Sequence, residues 1–200
     1  MASDFHTHHH PAPGIRALYS GKEPLPGTFN SLELHPWHLP ERFAPMPELA
    51  ERLRNFDALG EIGLDSLRGP ALPVQREFLQ YGLRLAKEAG KPVVLHVVRC
   101  FHELPEMLRR WKLRVMVHGF RGSAELLDEL WRQGITVSLH PSVLDREDIL
   151  RKLEAPTGAF GFESDDDAAL TVADILARGP LKNAERMTDQ YFADFLETGT

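Results

Sequence analysis

Histidines and acidic residues at several points of this 200-residue chain carry the side chains that bind divalent metal ions. The first are His6 and His8, which are separated by Thr7 in the segment SDFHTHHH. Residues two apart face the same side of a β-strand, so these two imidazoles can bind one ion. A His-rich tract can also hold metal only loosely, and the rest of the chain must distinguish a tract from a built site.

Short apolar runs that end at or near a polar residue recur along the chain. Successive runs are separated by about the length of a strand, a helix and two loops, and runs this apolar are typical of parallel strands buried on both faces. The runs are SDFHTH, FNSLELH, ALGEIGLD, KPVVLH, VMVHGF, ITVSLH and GAFGFES, and the polar residues that close them are His8, His35, Glu61, His96, His118, His140 and Glu163.

Amphipathic segments between these runs predict helices. Gly90 and Gly134 are expected to end two of these helices as left-handed caps. Ser123 is expected to begin one helix and Asp145 another, because short polar side chains favour N-cap positions. With the further run IRALYS at 15–20, the chain has eight strands. This count predicts an α/β fold, the (β/α)8 barrel of the TIM type.

The barrel is expected to be a compact one that forms a single domain over residues 1–200. A hydrophobic content of 42% is enough for one core. Two connections must fit between His8 and His35, where prolines and glycines oppose helix formation. The helices after the first strands are therefore predicted to be reduced to loops.

Composition excludes several classes of protein. The net charge of -6 leaves no basic surface that would hold nucleic-acid duplexes tightly. Cys100 is the single cysteine, which excludes an internal disulfide and fits a reducing compartment. Neither a secretion signal nor an apolar run of membrane-spanning length is present. We therefore expect a cytoplasmic protein without a membrane partner.

A (β/α)8 barrel would bring together the polar residues at the ends of its strands. Active sites of such barrels lie at the carboxyl ends of the strands, so side chains that close different strands point into one mouth. Imidazoles and carboxylates form the ligand set of Zn²⁺, Mn²⁺ and related ions. The predicted metal ligands are His6, His8, Glu61, His96, His118 and Asp165.

These residues lie in motifs of a known family. DFHTH, LHPW, GEIGLD, VVLHVVR, VHGF-x-GS and FESD occur in the order found in the TatD family of metal-dependent hydrolases, within the amidohydrolase superfamily. The chain resembles this family from Asp4 to about Asp165. The resemblance implies a barrel with two divalent metal cations, Zn, Mn or Mg, that hydrolyses phosphoester bonds, with nuclease activity in several members.

The resemblance also implies a role for each ligand. His6 and His8 match the pair on one metal, and Glu61 matches the glutamate that bridges both metals. His96 and His118 match the two histidines on the second metal. Asp165 matches the acid that binds metal and takes up the proton of the attacking water, so Asp165 and Glu61 are the expected catalytic residues. Asp65 and Glu163 match acids that orient the imidazole ligands.

Other polar residues at the strand ends have two interpretations. Arg99 follows its histidine one residue later than in the family, and either contacts a phosphate or lies in solvent. Arg121 stands where the family often has serine, with the same two alternatives. His140 either touches substrate or caps the turn before Pro141. His35 lies at the same rim, and it likewise has either a contact with substrate or a structural role.

Two classes of function remain open. The first is a hydrolase whose partner is a small-molecule or nucleic-acid phosphoester, or alternatively a carboxylic ester, lactone or amide. The second is a non-catalytic metal-binding barrel. The presence of Asp165 favours the enzyme, because the histidines alone can bind metal and a degenerate site would tolerate the loss of this acid. The oligomeric state is not predicted.

Overall fold

The computed structural model describes residues 3–11, 15–178 and 184–196, which contain eight parallel strands. The strands are β1 (Ser3–Thr7), β2 (Arg16–Gly21), β3 (Phe29–Leu32), β4 (Ala58–Asp65), β5 (Val93–Val98), β6 (Val115–Phe120), β7 (Thr136–Leu139) and β8 (Phe160–Phe162). Each strand pairs with the next along the chain, and β8 pairs with β1 to close a barrel. The (β/α)8 fold predicted from the sequence is confirmed.

Helices surround and follow the strands. They are α1 (Pro47–Leu53), α2 (Leu72–Ala89), α3 (Leu104–Leu108), α4 (Ala124–Arg132), α5 (Glu147–Glu154), α6 (Val172–Arg178) and α7 (Ala184–Leu196). The described residues of the first two connections, β1 to β2 and β2 to β3, contain no helix, as their prolines and glycines predict. None of the described helices is long and apolar enough to cross a membrane.

Three of the four predicted helix caps are present. The Ser123 side chain accepts a hydrogen bond from the backbone of Leu126 at the start of α4. Gly90 and Gly134 follow α2 and α4 with positive φ angles of 67° and 72°. The prediction for Asp145 is wrong. This residue ends a 3-10 helix at Pro141–Asp145, and extended backbone at Arg146 separates that helix from α5.

A layer of apolar side chains fills the barrel and closes its amino-terminal end. Side chains from β1, β2, β4, β5 and β6 form one cluster with α7, and strands on different sides of a barrel can meet only in its interior. The members are Phe5, Leu18, Ala58, Val94, Met116, Phe192 and Phe195. The Phe192 ring lies 5.3 Å from Phe5 and 5.7 Å from Phe29, the first residue of β3. Helix α7 therefore packs below the strands, and polar side chains occupy the opposite end.

The position of Glu61 differs from the sequence interpretation. The apolar run does not close at Glu61, because β4 continues for four more residues to Asp65. Every residue of β4 is buried, so this strand is covered along its whole length. Glu61 consequently lies within the barrel wall rather than on its rim, with 2% of its side chain exposed.

Candidate metal centre

The Glu61 carboxylate lies at the centre of the histidine cluster, and its two oxygens face different histidines. Oε1 is 3.3 Å from Nε2 of His6 and 3.0 Å from Nε2 of His8. Both histidines come from the carboxyl end of β1 and the residue after it. Three donor atoms from β1 and β4 therefore converge on one point.

The second oxygen of Glu61 faces histidines from the other side of the mouth. Oε2 contacts Nε2 of His118 and lies 3.4 Å from Nδ1 of His96. Nε2 of His35 is 3.5 Å from the same oxygen. His35, Glu61 and His96 form a second group of close donor atoms. The cluster thus has two halves that share one carboxylate.

The donor atoms fit divalent metal ions. Two ligand atoms on a tetrahedral ion, each bonded at about 2.1 Å, are about 3.4 Å apart. The Nε2 atoms of His6 and His8 are 3.2 Å apart, as are Nδ1 of His96 and Nε2 of His118. Oε1 of Glu61 is buried and accepts no aligned hydrogen bond from any residue that the structure describes, although two imidazole nitrogens lie close. Nitrogens and an oxygen gathered at these separations are what a metal ligand set requires.

Asp165 approaches the cluster from the end of β8. Its Oδ1 is 3.8 Å from Nε2 of His6 and 3.9 Å from Nε2 of His8, and 21% of its side chain is exposed. The Asp165 backbone N–H donates to the carbonyl of His6, and the His8 N–H donates to the Asp165 carbonyl. These bonds hold a left-handed backbone with φ of 51°, which aspartate tolerates better than most residues. Asp165 is thus anchored to β1, with its carboxylate open to the mouth.

Asp65 supports the half of the cluster that contains His96. Its Oδ2 lies 3.2 Å from Nε2 of His96 and accepts a hydrogen bond of 2.5 Å from the Trp37 indole. The Asp65 backbone is held in turn by the buried side chain of Gln75. Burial alone would raise the pKa of Asp65, but the hydrogen bonds from Trp37, Leu67 and His96 lower it. An ionised Asp65 thus lies against Nε2 of His96, whose Nδ1 faces Glu61, and its role in orienting this imidazole stays a prediction.

Glu163 is a buried carboxylate beneath His118. Its Oε1 is 3.8 Å from Nδ1 of His118, which is longer than a hydrogen bond. Burial opposes ionisation of both groups, but their mutual attraction lowers the pKa of Glu163, and Glu61 and Glu163 together raise the pKa of His118 well above its usual value. The contact of Glu163 with a ligand imidazole is thus electrostatic.

Asp4 joins the first and last strands below the cluster. Its carboxylate accepts hydrogen bonds from the hydroxyl and the backbone N–H of Ser164 and from the backbone of His6. Burial raises the pKa of Asp4 to about 7, and the hydrogen bonds from Ser164 oppose this rise. Asp4 therefore holds the chain on both sides of the site, at His6 and next to Asp165.

The remaining strand-end candidates lie at different distances from the cluster. His35 is in contact with Glu61, so it belongs to the cluster itself. His140 caps the following 3-10 turn, because its Nδ1 accepts from the backbone N–H of Ser142 at 3.1 Å. Arg99 and Arg121 are exposed at the ends of β5 and β6, and their contact with substrate stays a prediction.

Two supporting residues were not found by sequence reasoning. Trp37 and Asp4 lie in the motifs LHPW and DFHTH, but the sequence pattern predicts no role for either of them. The signal for Asp4 is its place two residues before His6 on the same strand. The contact of Trp37 with Asp65 has no local signal, because the loop after β3 brings it across to the end of β4.

The electrostatics of the cluster predict how metal binding depends on pH. Burial would lower the pKa of His8, but the adjacent Glu61 carboxylate raises it to about 9. A protonated imidazole must lose its proton before it binds an ion. Metal affinity should therefore rise as the pH increases to about 9, by up to about tenfold per pH unit for each proton displaced.

Titration of the protein with Mn²⁺ or Zn²⁺ against a chromophoric chelator at pH 6, 7, 8 and 9 measures this dependence. An unperturbed histidine, with a pKa near about 6.5, would instead give an affinity that levels off above about pH 7. Such a plateau would contradict the strong coupling of His8 to Glu61.

The fold and the cluster together define a (β/α)8 barrel with its candidate active site at the carboxyl ends of the strands. The family model described as TatD related DNase matches residues 14–165. The chain therefore belongs to the TatD family.

Individual relatives agree with this assignment. The metal-dependent hydrolase YjjV of Escherichia coli (strain K12) is 30% identical over 164 residues, which are 76% of this chain and 61% of that protein. The 3'-5' ssDNA/RNA exonuclease TatD of Edwardsiella piscicida is 33% identical over 92 residues, 44% of this chain and 35% of that protein. The aligned chain thus spans less than two thirds of the length of these relatives.

A solved structure shares the fold. The crystal structure of the TatD homologue YjjV from Escherichia coli K12 superposes with a TM-score of 0.74 at 20% sequence identity. The superposition covers 98% of this chain and 97% of that chain. This likeness concerns the fold alone.

Proposed function

We propose that this protein is a divalent-metal-dependent hydrolase of phosphoester bonds that uses two metal ions. The observation that carries the proposal is the shared carboxylate of Glu61, whose two oxygens face two adjoining groups of histidines. A single metal ion would need only one such group. The printed names of the relatives, a metal-dependent hydrolase and an exonuclease, support the same class of reaction.

The ligand residues hold the ions in this proposal. His6 and His8 would hold one ion, His96 and His118 would hold the other, and Glu61 would be available to both. Bound ions of this kind activate water and polarise a phosphoryl oxygen. Asp65 keeps the His96 ring in place, and Glu163 supports His118 through its charge.

Asp165 moves the proton. Its carboxylate faces both His6 and the open mouth, where substrate and water enter. Oδ1 takes up the proton of the attacking water and returns it to the oxygen of the leaving group. The anchored backbone of Asp165 keeps this oxygen within reach of both positions.

Phosphodiesters of single strands or of small molecules are the proposed substrates. The net charge of -6 provides little attraction for duplex phosphates, so tight duplex binding is not expected. A phosphoester held by two cations needs no broad basic surface. The shortened connections after β1 and β2 also leave less chain to form a long groove.

Hydrolysis of phosphodiesters should require two divalent ions per chain. Metal-free protein would be loaded stepwise with Mn²⁺, Zn²⁺ or Mg²⁺ while bound metal is measured by elemental analysis. At each step, activity would be assayed on phosphodiesters, phosphomonoesters, carboxylic esters and lactones. We expect activity to rise mainly with the second equivalent and to be highest on phosphodiesters.

Two results would contradict this proposal. Saturation at one ion with full activity would exclude the shared role of Glu61. A preference for carboxylic esters or lactones, with no turnover of any phosphoester, would exclude the substrate class while leaving the metal centre intact.

A further inference from the structure

An apolar surface is exposed beside the metal cluster. Among the residues that the structure describes, the exposed large hydrophobic side chains are Trp37 and Leu67, with 40% and 59% of their surface accessible. Both lie at the carboxyl ends of neighbouring strands. Trp37 is in the 3-10 helix after β3, and Leu67 comes two residues after the end of β4. The Asp65 carboxylate accepts hydrogen bonds from the Trp37 indole and from the backbone N–H of Leu67, so the two residues lie near each other. Single exposed apolar residues are common, but two near each other at a barrel mouth indicate a binding surface.

Trp37 is held rigidly against the site. Its indole N–H donates to Asp65, the residue that also contacts His96. The indole ring is 4.7 Å from the ring of His35 and 5.5 Å from the ring of His96, measured between centroids. An aromatic surface is therefore fixed directly next to the half of the cluster that Glu61 Oε2 faces.

Arg68 adds a positive charge to this surface. Its guanidinium carbon lies 4.4 Å from the centre of the Trp37 ring, which is a cation–π contact. Arg68 is exposed and follows Leu67 directly, and the backbone N–H groups of both residues donate to Asp65, so all three residues lie around this carboxylate. Guanidinium planes, like indole rings, stack on nucleobases, and their charge attracts phosphate.

We infer that Trp37, Leu67 and Arg68 form a stacking surface for the base of the nucleotide next to the scissile bond. The inference rests on the proposed function and names the part of the substrate that this side of the mouth recognises. The contact of Trp37 with His35 and His96 places the surface within one nucleotide of the cluster. A flat apolar ring beside a cation suits a base with its attached phosphate, whereas an aliphatic ester offers nothing to stack.

The test compares a thymidine dinucleotide with two analogues that each lack one base. In each analogue an abasic tetrahydrofuran residue replaces one of the two nucleosides. The quantity measured is the ratio of kcat/KM for the base-containing and abasic substrates, with Mn²⁺-loaded enzyme. Stacking should give the wild type a preference on the order of tenfold for a base at one of the two positions.

Variants identify the source of this preference. Trp37→Leu should bring the ratio close to one, Leu67→Ser should reduce it, and Trp37→Phe should keep most of it. Loss of the hydrogen bond to Asp65 affects both substrates equally, so it cancels in the ratio. Trp111→Leu is the matched control. Trp111 precedes β6 at the other end of the barrel, where Arg110 lies 4.9 Å over its ring and Gln80 accepts its N–H.

An unchanged ratio in Trp37→Leu, or a wild-type enzyme that hydrolyses both substrates equally well, would overturn the inference. Failure of the proposed function has a different signature, namely no metal-dependent hydrolysis of any phosphodiester. In that case the affinities of the metal-loaded protein for the dinucleotide and for its abasic analogues are compared at equilibrium. Tighter binding of the base-containing form that Trp37→Leu abolishes supports the surface, and equal or undetectable binding rejects it.

Discussion

Replacement of Asp165 by asparagine should lower kcat by about 10²-fold to 10⁴-fold, the range that a positioned acid–base group typically supplies. Asparagine has nearly the same shape as aspartate and also tolerates the left-handed backbone, whose φ is 51°. The backbone bonds to His6 and His8 should therefore survive. The amide cannot take up the proton of the attacking water, so turnover should suffer far more than folding.

Steady-state kinetics on a phosphodiester, with circular dichroism and metal analysis of the same sample, would measure this effect. Asp167→Asn is the matched control, because Asp167 is exposed and its side chain accepts from the backbone N–H of Ala169, which asparagine can also do. Full activity in Asp165→Asn would show that the proton is taken up elsewhere. Equal losses in both variants would indicate a structural effect of this loop.

Removal of His6 and His8 should cause the second large effect. The double variant His6→Ala, His8→Ala should lose at least one ion, with metal affinity lowered by about 100-fold or more. Loss of a residue that merely orients a ligand already costs about 10-fold to 100-fold in affinity, and loss of the ligand itself leaves the position to water. Activity should be lost together with the metal.

The adjacent pair of histidines is the control for this experiment. Nε2 of His9 contacts the backbone carbonyl of Asp166 at 2.8 Å, and His10 is exposed. The variant His9→Ala, His10→Ala should keep its metal and nearly all of its activity. Competition with a chromophoric chelator compares the two double variants directly. Equal loss of metal from both would mean that the histidine run binds metal as a loose tract.

Local patterns in the sequence were sufficient for the fold, and they indicated candidate ligand residues that the structure brings close together. Apolar runs predicted the strands because burial on both faces allows few polar residues within a parallel strand. Gly90 and Gly134 predicted helix ends because a left-handed residue costs glycine little. The local pattern gave a wrong helix start at Asp145. Its side chain suits an N-cap position, but the backbone of Arg146 is extended and the helix begins after that residue.

The sequence also determined which residues could meet, because parallel strands bring all their carboxyl ends to one face. It did not determine distances, which depend on how strand tilt and stagger close the barrel. In the structure Glu61 lies in the middle of β4 instead of at its end, and closure of the barrel brings different histidines to its two oxygens.

Contacts between distant loops were decided by the tertiary structure alone. Trp37 contacts Asp65, and Asp4 contacts Ser164. The members of each pair are far apart in the sequence, and hydrophobic periodicity does not predict contacts of this kind. Secondary structure depends largely on each residue and its near neighbours along the chain, so the sequence alone is enough to predict much of it. The support of the metal centre depends on side chains that become neighbours only after eight strands have closed into a barrel.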